Sequence, residues 1–553
     1  MRRAEVWAPR PSVVELQVGD VRHAMRQDPE RPGWWISDVF LQHEDRYGFV
    51  LDGEGPFPDP RSMSQPDGVH GLSRCVIPEE RARELTKDLR SKVLYELHVG
   101  TFTEGGTLDS AIDRLDDLVE LGVEAVELMP LSAFPGHRGW GYDGVFPFSV
   151  HAAYGDQEAL IRFVDAAHER GLGVILDVVH NHLGPEGNYL GLYAPYFTSR
   201  HATPWGDAVN LDDDGSEHVR AYFIGSAHHF LVDIGVDGLR LDAVHALGDG
   251  SDYHFLAELS DAVTSWERVT GRTMTLFAES DLNLPAMVSP VGTSPGACGM
   301  DGQWADDVHH ALHSYLSGER QGYYVDFGDP RVLQKALTRV FVHDGDLSTF
   351  RGRPWGAPVL PDSPHYDGHS FVVFLQNHDQ VGNRATGDRF HHHAGLAAQA
   401  AGAALYLLSA FTPMIFMGEE WAASTPFPFF SHLGPELGPL VTAGRAREFA
   451  AMGWEEATPD PQAASTFRSA VLQWTERSEG GHARMLEWYR TLLRLRREHP
   501  ALRSPELAAV EVEATDDRVI MRRGHITIAV EGDETTVSIT EGPDFRLLAR
   551  WAS

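Results

Sequence analysis

Cysteine is nearly missing from this chain of 553 residues: Cys75 and Cys298 are the two it has. Two cannot build a disulfide framework, and the scarcity points to a reducing compartment rather than secretion. Basic charge is also short. Lys+Arg number 46 against 80 Asp+Glu, and a net charge of −34 excludes an electrostatic surface for nucleic acid or anionic membrane. Lysine is represented by Lys87, Lys92 and Lys335 alone, a bias that suggests no function. No uncharged apolar run reaches membrane-spanning length. The opening, Met1-Arg2-Arg3-Ala4-Glu5-Val6-Trp7-Ala8-Pro9, has no apolar signal core. The expectation is a cytoplasmic protein with neither nucleic acid nor membrane as partner.

What the chain does have is length enough for about two to four domains. Residues 1–85 read as all-β, with strands Val13–Val18, Trp34–Phe40 and Tyr47–Leu51 separated by turn residues. Trp34 and Trp35 are expected in the core of this sandwich rather than on a sugar. From Lys92 strands alternate with helices, the pattern of a parallel sheet covered by helices. Strands are expected at Val93–Val99, Val123–Met129, Leu172–Val179, Asp237–Asp242, Met274–Glu279, Ser370–Gln376 and Met414–Gly418. Helices are expected around 111–121 and at Gln157–Arg170, Glu217–Ile234, Phe255–Thr270, Ala394–Ser409 and Arg484–Arg497. That many units argue for a closed (β/α)8 barrel over 86–500, with strands six and seven the hardest to place because 280–370 is loop-rich. Residues 501–553 read as a small C-terminal β domain with strands at 509–512, 519–522, 526–530 and 535–539.

The strand ends carry the chemistry. In Gly238-Leu239-Arg240-Leu241-Asp242-Ala243, alternation puts Leu239, Leu241 and Ala243 on one face and Arg240 and Asp242 on the other. Charge inside a barrel is costly unless neutralised by a partner or a ligand, so a purely structural ion pair is one reading. Three more strands end the same way: Asp177-Val178-Val179-His180-Asn181-His182, Glu279, and Gln376-Asn377-His378-Asp379-Gln380. At one rim of a barrel these groups converge on a single pocket. Carboxylates without a nearby nucleophilic serine or cysteine point to glycosidic cleavage. One acid protonates the leaving oxygen while a second carboxylate meets the oxocarbenium-like carbon, about 5–5.5 Å away in a retaining enzyme. Asp242 and Glu279 lie on consecutive strands and can supply that spacing. Arg240 would keep Asp242 ionised, and crowding would keep Glu279 protonated.

Metal binding is the rival explanation for His180 and His182, for His309 and His310 after Asp306-Asp307, and for His391-His392-His393. None has zinc-site spacing such as His-Glu-x-x-His, so no metal and no cofactor is expected. The run at 391–393 reads as a solvated loop or a helix start, and Cys298 as a bystander.

At these residues the chain resembles the α-amylase superfamily, glycoside hydrolase family 13. The stretches that carry the likeness are Asp177–His182, Gly238–His245, Leu276–Ser280 and Phe374–Asp379. The resemblance implies Asp242 as nucleophile, Glu279 as general acid/base and Asp379 as transition-state stabiliser. It also implies that Arg240, His182 and His378 hold the sugar and that Tyr142 is its stacking platform. Within the superfamily the chain looks most like the maltooligosyltrehalose trehalohydrolase family, through Tyr95–Thr103, Trp140–Val145, Gly184–Tyr189, Ala278–Asn283, Asp306–His310, Gln321–Gly328 and His378–Arg384. That likeness implies hydrolysis of the α-1,4 bond beside a terminal trehalose, with maltooligosyltrehalose as substrate and trehalose as product. A maltooligosyltrehalose synthase would share its pathway. The substrate-binding set then extends to His245, Asp306, Asp307, His309, His310, Gln380, Asn383 and Arg384. The loop 183–216 is short for the calcium-holding excursion of many amylases. Branching and debranching relatives share the same N-terminal domain and barrel, which makes a glucan branching or debranching enzyme the alternative.

Overall fold

The computed structural model describes residues 1–77, 88–203, 206–451, 458–532 and 535–552. Eight parallel strands close a barrel: β1 (Leu94–Leu97), β2 (Ala125–Leu128), β3 (Gly173–Val178), β4 (Gly238–Leu241), β5 (Thr275–Ala278), β6 (Gly302–Trp304), β7 (Phe371–Val373) and β8 (Thr412–Phe416). They neighbour one another in chain order, and β8 returns to β1 through Met414↔Leu94. The seven strands expected from periodicity are all present, most of them shorter than expected. The missing sixth is β6, three residues of Gly-Gln-Trp with no apolar run to announce it.

Glycines close two of the surrounding helices. Gly122 (φ 107°) and Gly271 (φ 70°) end Leu115–Leu121 and Phe255–Thr270 in the left-handed conformation that only glycine adopts without strain. The helix expected around 111–121 is two, Leu108–Ile112 and Leu115–Leu121, and the helix expected over 217–234 differs as well. Instead of running evenly from 217 to 234, it is α-helical over Ser216–His228 and widens into a π turn over His229–Ile234. Buried Arg272 explains the change, because its guanidinium donates to the carbonyls of Leu231 (2.6 Å), Gly235 and Val236 (3.0 Å each).

Two antiparallel sheets precede the barrel. One pairs Arg2–Trp7 with Trp34–Leu41, and the other runs Val21–Ala24, Val14–Val18, Arg46–Leu51, Glu54–Phe57. Trp35 is buried and donates to Ala8 O at 3.0 Å. Trp34 is half-buried beneath the Arg31 guanidinium, 4.7 Å from its ring centre. The sheets are bolted to the barrel by Tyr193 and Tyr222 hydroxyls donating to Pro58 O (2.8 Å) and Pro60 O (2.7 Å). The expected junction at 85/86 lies outside the described residues.

After the last helix, Gly480–Glu498, comes a five-stranded antiparallel sheet. Its fifth strand, Arg546–Trp551, escaped the sequence reading because Arg-Leu-Leu-Ala-Arg-Trp does not alternate. The histidine run at 391–393 opens the helix Phe390–Leu407. Cys75 and Cys298 are both buried and unpaired. No helix among the described residues is long and apolar enough to cross a membrane.

Candidate active site

Arg240 is the hub. On β4, Leu239 and Leu241 are buried under the helices, while Arg240 points into the barrel with 1% of its side chain exposed. Its Nη1 donates to both oxygens of Asp177 (3.0 and 2.8 Å) and to Asp242 Oδ1 (2.8 Å). Its Nη2 lies 3.7 Å from Glu279 Oε2. The Trp304 ring sits 4.3 Å from the guanidinium carbon, covering its face with π density.

Asp242 and Glu279 stand side by side because the ladder puts them there. Leu241 is in register with Ala278, so the next residue on each strand faces its neighbour across one inter-strand step of about 4.8 Å. The chain does not continue extended through Ala243 as alternation suggested. Ala243 turns into the left-handed region (φ 39°, ψ 50°), which aims its N–H at Glu279 Oε2, 2.5 Å away. A non-glycine residue held there stores about 1–3 kcal/mol of strain. Asn181 steadies the other carboxylate, donating from Nδ2 to Asp242 Oδ2 at 2.9 Å.

Burial, together with the charges of Asp242, Asp306 and Asp379, pushes Glu279 up to about 8 against the pull of Arg240. Asp379 Oδ1 lies 3.7 Å from His378 Nε2, which the Tyr142 hydroxyl and Asp177 link to Arg240. Burial also raises Asp306 to about 7, helped by Asp379, Asp307 and Asp281. Asp242 is bonded directly to Arg240, a charge-assisted contact that fixes its orientation.

A second chain of hydrogen bonds holds the aromatic platform. His378 Nδ1 lies 2.5 Å from Glu96 Oε1, and its Nε2 is 2.8 Å from the Tyr142 hydroxyl. That hydroxyl donates to Asp177 Oδ2 at 2.6 Å. Burial opposes charge on His378, yet Glu96 and Asp379 overcome it and raise the imidazole to about 9. A protonated His378 therefore donates at both nitrogens, and Tyr142 is left one orientation, its ring stacked 5.1 Å from the imidazole. His182 completes this wall, with Nδ1 2.6 Å from Asn181 Oδ1 and Nε2 3.1 Å from Tyr142 O.

Asp379 opens a short helix, His378–Gly382, capped by the Asn377 side chain, which accepts from Gln380 N at 2.8 Å. Half its side chain is exposed (46%), and Asn383 Nδ2 donates to its Oδ1 at 3.1 Å. Gln380 reaches Asp306 at 3.5 Å. Gly382 is under tight constraint here. A Cβ on it would fall 2.0 Å from Trp140 Cζ2, and Trp140 is wedged between His378 and Phe427. Gly382→Ala is expected to cost about 1–3 kcal/mol of stability through overpacking. Because the displaced ring leans on His378, activity should fall with it; thermal melting and a rate assay on one preparation check both.

The other sequence candidates divide. His245 lies at the rim, 3.9 Å from Asp281 Oδ1. His310 faces Tyr323, with ring centres 5.0 Å apart. Asp307 instead turns into the protein, accepting from Val342 N (2.7 Å), His343 N (3.0 Å) and Asn283 Nδ2 (2.9 Å). His309 bridges Leu375 O (2.6 Å) and the Tyr324 hydroxyl (3.2 Å). Arg384 pairs with both oxygens of Glu319 (2.8 and 3.0 Å) and with Asp388 (2.8 Å). His180 is buried against Phe223, and burial drops it to about 3, a neutral core histidine away from Arg240. Asp177 and Asn181 stand among the strand-end groups read from sequence but have no role assigned there, and Glu96 and Trp304 lie outside that set. Asp177 and Glu96 had a usable signal, a carboxylate near the end of a barrel strand; Trp304 had none, because β6 was not identified.

The wider chain agrees with this geometry. The alpha-amylase catalytic-domain family model matches residues 57–194. A malto-oligosyltrehalose trehalohydrolase from Arthrobacter ramosus is 48% identical, over 98% of this chain and 93% of that one. A solved chain from Salmonella typhimurium, provisionally described as an alpha amylase, superposes with a TM-score of 0.89 at 36% identity, covering 98% of this chain and 93% of its own. A 1,4-alpha-glucan branching enzyme from Nitrosomonas europaea is 34% identical, but over 28% of this chain and 22% of its own. With similarity of this strength across nearly the whole length, the chain belongs to the malto-oligosyltrehalose trehalohydrolase family.

Proposed function

We propose that the chain is a retaining glycoside hydrolase that cuts the α-1,4-glucosidic bond next to the terminal trehalose of maltooligosyltrehalose. Asp242 attacks the anomeric carbon as Glu279 gives its proton to the departing oxygen, and trehalose leaves first. Glu279, now a carboxylate, takes a proton from water, whose oxygen attacks the same carbon and frees Asp242 together with a shortened maltooligosaccharide. Asp379 is assigned to the developing positive charge on the sugar, and Arg240, Tyr142, His182 and His378 to holding the ring. The observation that carries this reading is one guanidinium with Asp242 bonded to it and a raised Glu279 alongside.

A cavity of about 450 Å³ opens beside His182, lined by Asp143, Asn188, Phe197, Leu433 and Val441, a mixed polar and apolar surface suited to further glucose units. We assign 1–85 to an N-terminal β-sandwich of carbohydrate-binding type, 86–500 to the catalytic barrel and 501–553 to the C-terminal β domain. We place the protein in the cytoplasm, where buried unpaired cysteines persist. Its substrate would come from a maltooligosyltrehalose synthase.

Product analysis tests the reading. Incubation with maltooligosyltrehalose should release free trehalose, while maltopentaose should be cut far more slowly. Equal cleavage of both would remove the trehalose specificity. New α-1,6 branches or lengthened chains would instead mark a transferase, in which a sugar hydroxyl replaces water as acceptor.

A further inference from the structure

Arg445 belongs to none of the strand-end motifs. It sits on the helix Gly438–Ala451, in the segment between β8 and the last helix. Its guanidinium lies between the rings of Phe429 and Phe449, 4.8 and 4.7 Å from their centres, with 16% of the side chain exposed. Nη1 pairs with Glu448 at 3.0 Å. Nη2 donates to Asn383 Oδ1 at 2.9 Å and to Gly382 O at 3.2 Å, the last turn of the short helix that carries Asp379.

Asn383 has two ends of opposite polarity. Its oxygen faces Arg445, and its NH2 donates to Asp379 Oδ1 at 3.1 Å. Turning the amide over would set NH2 against the guanidinium and oxygen against the carboxylate, two repulsive contacts in place of two bonds. The cation therefore dictates which end Asp379 meets. Without it, a half-exposed aspartate would lose a donor of fixed direction and gain rotamer freedom.

We propose that Arg445 is a positioning residue for Asp379, acting through the Asn383 amide to fix the carboxylate where it meets the sugar. The inference rests on the catalytic assignment of Asp379 made above. Phe429 and Phe449 exclude water from the guanidinium, which strengthens the bond to Asn383. The segment after β8 thereby contributes to catalysis through Arg445, which does not itself touch the Asp379 carboxylate.

Kinetics on maltooligosyltrehalose tests it. Arg445→Met keeps an apolar stem between the two rings but removes every donor, and should lower kcat about tenfold with KM changed less than about twofold. Arg445→Lys keeps one charged donor and should recover part of the loss. The double variant Arg445→Met/Asn383→Ala should be no slower than Asn383→Ala alone, because both break the same chain. Additive losses, or a wild-type kcat in Arg445→Met, would overturn the proposal. If Arg445→Met does not fold, Arg445→Lys decides in the same way: a lowered kcat at unchanged KM supports it, and an unchanged kcat sinks it. Asp379→Asn separates the two layers of the argument. Full activity there removes the catalytic assignment, whereas an inactive Asp379→Asn beside a fully active Arg445→Met removes only the role of Arg445.

Discussion

Asp242→Asn should lower kcat on the order of 10,000-fold while the barrel stays folded. The size follows from removing the carboxylate proposed to form the glycosyl-enzyme bond. The survival of the fold follows from the wiring of Arg240. Leaving a buried guanidinium without a partner costs about 3–5 kcal/mol, but Asp177 continues to accept from Nη1 through both oxygens. The amide oxygen that this substitution introduces can also keep the third bond. A melting temperature close to wild type with activity near background is the expected pair of results. Activity within about tenfold of wild type would reject Asp242 as nucleophile, and a large loss of melting temperature would show that the ion pair is chiefly structural.

Glu279→Gln should remove the alkaline limb of the pH–rate profile and lower the rate by about 100- to 10,000-fold. Glu279 must be protonated to serve the leaving oxygen. Burial and its acidic neighbours hold it up to about 8, so kcat/KM is expected to fall as pH rises through that value. Asp306, pushed up to about 7, titrates in the same cluster, so the limb belongs to the group of carboxyls. Asp306→Asn takes away a negative charge and should move the limb to lower pH. A maltosyl fluoride, whose leaving group needs no proton, should restore the first step in Glu279→Gln but not the second. The same shift has a stability consequence of definite sign. A carboxyl whose folded value lies above its unfolded one binds more protons in the folded state, so stability declines as pH climbs from about 4.5 towards 8. Glu279→Gln lacks that decline, and its melting temperature should gain on wild type over that interval. A limb unmoved by either substitution would assign the titration elsewhere.

The parts of the site legible in the sequence share one property. Arg240, Asp242 and Glu279 each lie in or at the end of a short apolar run, where period-two alternation tells which way a side chain points, and Asp379 follows such a run on the short helix His378–Gly382. Glu96 obeys the same rule on β1 and was passed over because its partner, His378, lies 282 residues away. Trp304 was hidden for a different reason: a three-residue strand carries too little periodicity to register. Asp307, His309 and Arg384 were grouped with the substrate cleft by motif, and the structure turns each toward protein partners. Neighbourhood along the chain does not specify direction on a helix, where one step rotates a side chain by about 100°.

Local pattern was enough to determine seven of the eight barrel strands, flanking β regions and the residues at the strand ends, because alternation acts over a few residues. Three things waited on tertiary structure: the raised titration of Glu279, the Glu96–His378–Tyr142–Asp177 relay, and the hold of Arg445 on Asn383. Each depends on distances between groups far apart in sequence, and charge interacts through space and burial rather than along the chain.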